Sequence, residues 1–124
     1  MKTQSKIHSS KEVIEQVAAS QLDRIIEEGK ATIIDVRTPE GIEKQGSIPG
    51  AVNIPLEEFK NQIDSGESIL NGDGPFLFCC TGGVMSYMAA IHAQENGIRN
   101  VLNLEGGHSA WKKFRAEAEE QRAA

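Results

Sequence analysis

Two cysteines stand side by side in the stretch Phe76-Leu77-Phe78-Cys79-Cys80-Thr81-Gly82-Gly83-Val84-Met85-Ser86, and they are the only cysteines in the chain. An apolar run of strand character ends on a thiol, a short loop with two glycines follows, and a helical pattern then opens. Glycine lets the backbone turn tightly without a Cβ clash. The first N–H groups of the following helix lack intrahelical partners and point toward the centre of the loop. A thiol at the strand end sits inside that ring of donors, where the positive end of the helix dipole favours its anion. A nucleophilic sulfur arises in this way without a neighbouring base. Cys80 is expected to be that sulfur, and Cys79 the last residue of the strand. Adjacent cysteines make a poor staple, because a disulfide between them closes a strained ring and fixes no long loop. They are also too few and too close to build a metal site by themselves.

The elements that must position this thiol follow from punctuation and periodicity. Val13, Ile14, Val17 and Ala18 recur at helical spacing after a weak capping box at Ser9–Glu12, yet Val17-Ala18-Ala19 reads equally as a first strand. Ser20 has the character of an N-cap with Asp23 at the reciprocal position, and Leu22, Ile25 and Ile26 give a stripe that Gly29 stops, so a helix is expected over about 20–28. Ala31–Val36 reads as a buried strand. A short helical turn covers Pro39 to Gln45, and Ala51–Ile54 is another short strand. Pro55 opens a helix with acids in its first turn and Leu56, Phe59 and Ile63 on one face. Residues 64–75 are a glycine-rich loop with room for one helical turn at Glu67–Leu70. Beyond the cysteines, Val84 to Asn96 reads as a helix whose stripe of Met85, Met88, Ala89 and Ala93 is mostly core. Asn100–Leu104 is a last strand, and Gly106-Gly107 turns into a helix carrying Ala110, Trp111 and Phe114.

Strands alternating with helices argue an α/β fold with a parallel sheet covered on both faces. Sites in such sheets lie at the carboxyl ends of strands. Asp35-Val36-Arg37, Cys80 and Leu104-Glu105-Gly106-Gly107 should therefore share one rim. On it, Arg37 either attracts anions or forms a salt bridge that orders the loops. Asp35 suits a loop-bracing acceptor better than a catalytic acid. His108 either stabilises the thiolate or is a surface or helix-start residue. Trp111 reads as a core aromatic, and His92, inside a helix, has no role.

A chain of 124 residues suits one domain, and at 39% apolar and 25% charged it is expected to fold without disulfides. A net charge of −5 disfavours nucleic acid or an anionic membrane as the main partner. The first ten residues carry no apolar core of signal-peptide length, and no stretch approaches the roughly 20 apolar residues of a membrane span. The expected location is the cytoplasm, where thiols stay reduced.

Four segments in order resemble a single-domain rhodanese, a sulfurtransferase: Ile34–Glu40, Ile48–Pro55, the cysteine loop, and Asn103–Gly107 with Trp111 four residues on. The resemblance implies the rhodanese-like fold, a five-stranded parallel sheet flanked by helices on both faces. It covers the expected domain over 16–115, while the polar start reads as a partly mobile extension (1–15) and the Ala/Glu/Arg-rich end as a helical or frayed tail (116–124). The resemblance also implies a loop beginning at Cys80, with Thr81, Gly82, Gly83, Val84, Met85 and Ser86 binding substrate and persulfide, and Asp35 and Arg37 in support. Cys80 would take sulfur from a small donor such as thiosulfate or a polysulfide and pass it to cyanide, a thiol or an acceptor protein, with no metal or other cofactor. Loop N–H groups from Gly82 to Ser86 would hold the persulfide anion.

Three departures bear on substrate. Arginine is frequent in the family after the cysteine or before the serine, where this chain has Thr81 and Met85. No cation remains in the loop, so an anionic donor should bind more weakly. Ser47 stands where the family often has histidine, and Gln45 looks like a one-residue insertion. A cysteine phosphatase of related fold needs an arginine six residues after its nucleophile; Ser86 and Met85 occupy the two candidate places. The remaining alternative is a rhodanese-like binding or thiol-sensor module with little turnover, in which the paired cysteines respond to oxidants or soft metals.

Overall fold

The structure, a computed structural model, describes residues 13–66, 70 and 72–123. The weak capping box at Ser9–Glu12 and the helical turn at Glu67–Leu70 fall wholly or mostly outside them. In chain order the elements are β1 (Glu15–Val17), a 3-10 turn (Ala19–Gln21), α1 (Leu22–Glu28), β2 (Thr32–Asp35), α2 (Pro39–Gln45), β3 (Val52–Asn53), α3 (Leu56–Asp64), β4 (Phe76–Cys79), α4 (Val84–Glu95), β5 (Val101–Leu104) and α5 (Gly107–Ala123). The five strands form one sheet in the order β1-β5-β4-β2-β3, and every pair is parallel.

Glu15–Val17 form a strand rather than part of a helix, because β1 completes the sheet edge against β5, with Val17 opposite Leu104. Ser20 is not an N-cap. It lies inside the 3-10 turn, and α1 starts after it without a side-chain cap. Asp23 is committed elsewhere, since its Oδ1 accepts the indole N–H of Trp111 at 3.1 Å. Gly29 ends α1 in the left-handed conformation (φ 62°) as its position demands. Thr38 caps α2 by accepting the Gly41 N–H at 3.1 Å, with Pro39 at the first helical position.

Strand alternation sorts the core into two layers. Ile34, Phe76, Phe78 and Cys80 pack with Phe59 and Ile63 of α3 and with Ala89, Ala90 and Ala93 of α4. Ile33, Leu77, Cys79 and Leu104 pack on the other face with Leu22 of α1 and Trp111 of α5. Burying each large side chain stabilises the fold by about 1.5–3 kcal/mol, so the central strands β4 and β2 are fixed in place by both layers. Phe59 meets Phe78 edge to face, with ring centroids 5.3 Å apart. On α4 the three alanines allow close approach to the sheet, whereas Met85 and Met88 are 44% and 55% exposed. The stripe assigned to the core is thus only half core, and its methionines face outward.

Candidate active site

Register brings the three strand ends to one rim. Asp35 of β2 lies beside Cys79 of β4, and Phe78 lies beside Asn103 of β5. Cys80 follows directly, 3% exposed, on the α3–α4 side of the sheet. Helix α4 has no side-chain cap at its N-terminus. The cysteine sulfur takes that place: the Gly83 N–H donates to Cys80 Sγ at 3.1 Å and the Ser86 N–H at 3.3 Å. Ser86 Oγ lies 3.3 Å from the same sulfur and 2.6 Å from Asn103 Oδ1.

A second helix start holds the loop from behind. The His108 N–H donates to the Cys80 carbonyl at 2.8 Å, and the Ser109 N–H to the Thr81 carbonyl at 3.0 Å. Backbone approaches so closely here that only glycine fits. A Cβ on Gly107 would lie 2.5 Å from both carbonyl oxygens, and one on Gly83 would lie 2.9 Å from the Gly106 nitrogen; both residues have positive φ. The loop is therefore clamped between two helix N-termini, one aimed at the sulfur and the other at the peptide carbonyls beside it.

The predicted residues divide by what they touch. Gly83 and Ser86 reach the sulfur. Thr81 is half-buried, Gly82 is exposed, and Val84 and Met85 are exposed at the loop's outer rim. Arg37, 4% exposed, grips both carboxylate oxygens of Asp35, at 3.0 Å from Nε and 2.7 Å from Nη2. It also donates to the Gly46 carbonyl and to Gln45 Oε1. This arginine is engaged in bracing the segment after β2 rather than presented to an anion. Asp35 in turn accepts the Arg37 backbone N–H at 3.1 Å, the loop-bracing role foreseen for it.

His108 is 2% exposed, not at the surface, although it does begin α5. Its ring rests against Trp111, with centroids 5.7 Å apart. Burial, followed by the Arg37 charge, holds its pKa below the ordinary imidazole value, which favours the neutral ring. Cys79 points away from the loop, and burial, followed by the Asp35 charge, pushes its thiol pKa up. Cys79 is therefore an inert packing residue.

Two site residues escaped the sequence reading. Asn103, 1% exposed, ties the loop to β5 and β1 by donating from Nδ2 to the Gly83 carbonyl at 3.0 Å and to Gln16 Oε1 at 2.9 Å. Its signal was a lone amide inside an apolar strand, Val101-Leu102-Asn103-Leu104. Gln45, read only as an insertion, links the brace to the loop, because its Oε1 accepts from Arg37 Nη1 at 3.1 Å and from Thr81 Oγ1 at 3.0 Å.

A cavity of about 740 Å³ lies at the other end of the sheet, lined by Ile63, Phe76, Ile98 and Asn100 among others, and takes no part in this site. Among the described residues, no three or more His, Cys, Asp or Glu side chains are grouped to hold a metal ion, and no helix is long and apolar enough to cross a membrane.

A thiol closing a backbone cradle at the carboxyl end of a parallel sheet defines a class: α/β proteins with a cysteine at the start of a helix. Comparison with known proteins narrows the class. The family model for the rhodanese-like domain matches residues 18–114. A sulfurtransferase of Allochromatium vinosum is 32% identical over 90 residues, which cover 73% of this chain and 79% of that protein. The thiosulfate sulfurtransferase GlpE of Shewanella oneidensis is 30% identical over 100 residues, covering 81% and 94%. The rhodanese-related protein of Thermoplasma volcanium superposes with a TM-score of 0.69 at 28% identity, covering 81% of this chain and 92% of that one. Other relatives are larger: a match to the tRNA uridine(34) hydroxylase of Photorhabdus laumondii, at 27% identity, covers 75% of this chain and only 27% of that enzyme. The chain belongs to the rhodanese-like domain family, and at that level its relatives support a rhodanese-type sulfurtransferase.

Proposed function

We propose that the protein moves a sulfane sulfur from a small donor to a thiophilic acceptor through a persulfide on Cys80. The observation that carries this reading is the pair of backbone N–H groups, from Gly83 and Ser86, converging on Cys80 Sγ at 3.1 and 3.3 Å. Preorganised donors of this kind hold developing charge on sulfur without reorganisation cost during reaction.

In the first step the Cys80 thiolate attacks the outer sulfur of the donor. The new Cys80 S–S bond forms as the donor's own bond to that sulfur breaks. The leaving group departs with the electron pair, as sulfite from thiosulfate or as a thiolate from a persulfide. In the second step an acceptor such as cyanide or a thiolate attacks the outer sulfur, and Cys80 leaves as the thiolate it began as. No external oxidant or reductant is consumed, and no cofactor is required. Splitting the transfer in two lets one cradle serve both half-reactions. The loop N–H groups from Gly82 to Ser86 would receive the charged outer sulfur, with Thr81, Val84 and Met85 around it.

The rim favours weakly charged donors. Val84 is 71% exposed and Met85 44%, and Arg37 is already bound to Asp35. Organic persulfides and organic polysulfides, with little or no charge on the sulfur chain, suit such a surface better than the thiosulfate dianion. A reduced catalytic thiol also fits a reducing compartment such as the cytoplasm.

Thiocyanate formation from cyanide, with thiosulfate and with a polysulfide as alternative donors, tests the reading. Turnover with at least one donor, abolished in Cys80→Ser, is expected. Turnover that survives this change would assign the nucleophile elsewhere. Absence of turnover and of sulfur loading with both donors would favour the second reading, a binding module, for which the uncharged loop is the motivating observation.

A further inference from the structure

We infer that Asn103 is a positioning residue that holds the Ser86 hydroxyl proton away from Cys80, so that Ser86 meets the sulfur with a lone pair. The geometry fixes the amide's orientation. Asn103 Nδ2 has two hydrogens and two acceptors, Gln16 Oε1 at 2.9 Å and the Gly83 carbonyl at 3.0 Å. Gln16 could turn its own amide in response, but the Gly83 backbone carbonyl has no donor to offer, and turning the Asn103 amide over would set oxygen against oxygen there. Oδ1 therefore faces Ser86 Oγ, 2.6 Å away, and can only accept.

A serine hydroxyl has one proton, and two atoms stand within reach of it. Oxygen is the better acceptor, and 2.6 Å is a short contact, whereas Cys80 Sγ lies at 3.3 Å. The proton therefore points to Asn103. What remains for Cys80 is an oxygen lone pair, which accepts the S–H of the thiol and offers nothing to its anion. Charge on the sulfur then rests on the two backbone N–H groups, with no help from the hydroxyl. Ser86 and Asn103 are 0% and 1% exposed, so water does not rearrange this chain of bonds freely.

The consequence reverses the role a serine beside a nucleophilic thiol is expected to have. Removing the Ser86 oxygen takes a partner from the thiol and none from the thiolate. The test is the pH dependence of Cys80 alkylation by iodoacetamide, read by peptide mass in the full chain and in Ser86→Ala. The midpoint of the profile is expected to move to lower pH, with alkylation on the acid side faster by about fivefold, the size of one ordinary hydrogen bond. An unchanged midpoint, or one moved to higher pH, overturns the inference, since the hydroxyl would then be neutral or a donor to the anion. A change of access alone alters the plateau rate and leaves the midpoint in place.

Asn103→Leu supplies the second arm. It frees the Ser86 proton to turn to the sulfur, so the midpoint again falls. In the Ser86→Ala background the same change is expected to do much less; an equal effect there would contradict mediation through Ser86. The titratable and charged groups on the surrounding elements are untouched by these variants. They are Glu15 on β1, Asp35 at the end of β2 and Arg37 after it, Cys79 on β4, Glu105 after β5, His108 at the start of α5, Tyr87, His92 and Glu95 on α4, and Glu57, Glu58, Lys60 and Asp64 on α3. The inference rests on Cys80 as the reactive sulfur, which sulfur loading reads separately. A loaded Cys80 with the wrong midpoint shift overturns this inference alone.

Discussion

Cys79 and Cys80 are neighbours in sequence and belong to opposite faces of the sheet, one packed under Leu22 and Trp111 and the other in the cradle before α4. Strand alternation separates them. Native-state alkylation should therefore modify Cys80 and leave Cys79 untouched, since burial raises the Cys79 thiol pKa. Cys79→Ala should retain sulfur loading and lose only packing, about 1–2 kcal/mol by urea unfolding. Labelling of both thiols in folded protein, or loss of loading in Cys79→Ala, would contradict this division.

The clamp behind the loop predicts a sharp contrast between two glycines. Gly107→Ala places a methyl 2.5 Å from the Cys80 and Thr81 carbonyls, whereas at Gly82 a Cβ meets nothing within 4 Å. Gly107→Ala should cost about 2–4 kcal/mol in thermal or urea unfolding, or sharply reduce sulfur loading, because the neighbouring groups are backbone and cannot step aside. Gly82→Ala should fall within about 1 kcal/mol of the parent. Equal tolerance at both positions would mean that the two helix starts are not packed together as described.

Much of this arrangement was legible in the sequence, and the reasons are local. Phe76-Leu77-Phe78-Cys79 and Thr32-Ile33-Ile34-Asp35 are apolar on both faces, as strands buried in a parallel sheet must be, and glycine and proline mark their ends. The glycine loop after Cys80 announced both the turn and the helix start. What escaped depends on contacts distant along the chain. Asn103 reaches Gln16, 87 positions away, and Gln45 reaches Thr81, 36 positions away. No periodicity reports such pairs. Ser20 misled because its residue type suits a cap, yet Asp23 was drawn off by Trp111, 88 positions on. The α4 methionines misled because helical spacing fixes a face without saying how far around the helix the core extends.

Met85 stands at the exposed loop rim where family members often carry a cation. Met85→Arg should raise kcat/KM with thiosulfate by about tenfold, chiefly through KM, and change turnover of an uncharged organic polysulfide much less. Steady-state kinetics with both donors checks this. Equal or lower thiosulfate efficiency would count against the missing cation as the cause of donor preference.

His108 gives the fold a pH dependence of definite sign. Its folded-state pKa is lowered by burial and by Arg37, so below the ordinary imidazole pKa of about 6.5 the unfolded chain binds a proton that the folded chain refuses. Stability is full above that value and falls as pH drops through the window between the unfolded and folded pKa values. His108→Gln should flatten the dependence on the acid side of about pH 6.5 relative to the parent. Urea midpoints across that range provide the comparison, and an unchanged slope would remove His108 as its source.

The central claim is a sulfur atom carried on Cys80. Intact mass after incubation with thiosulfate, and separately with a polysulfide, reads it directly. The account predicts a gain of about 32 Da with at least one donor, reversed by cyanide and absent in Cys80→Ser, as covalent catalysis through that thiol requires. A folded protein that gains no such mass from either donor, or one that gains it equally in Cys80→Ser, would contradict it.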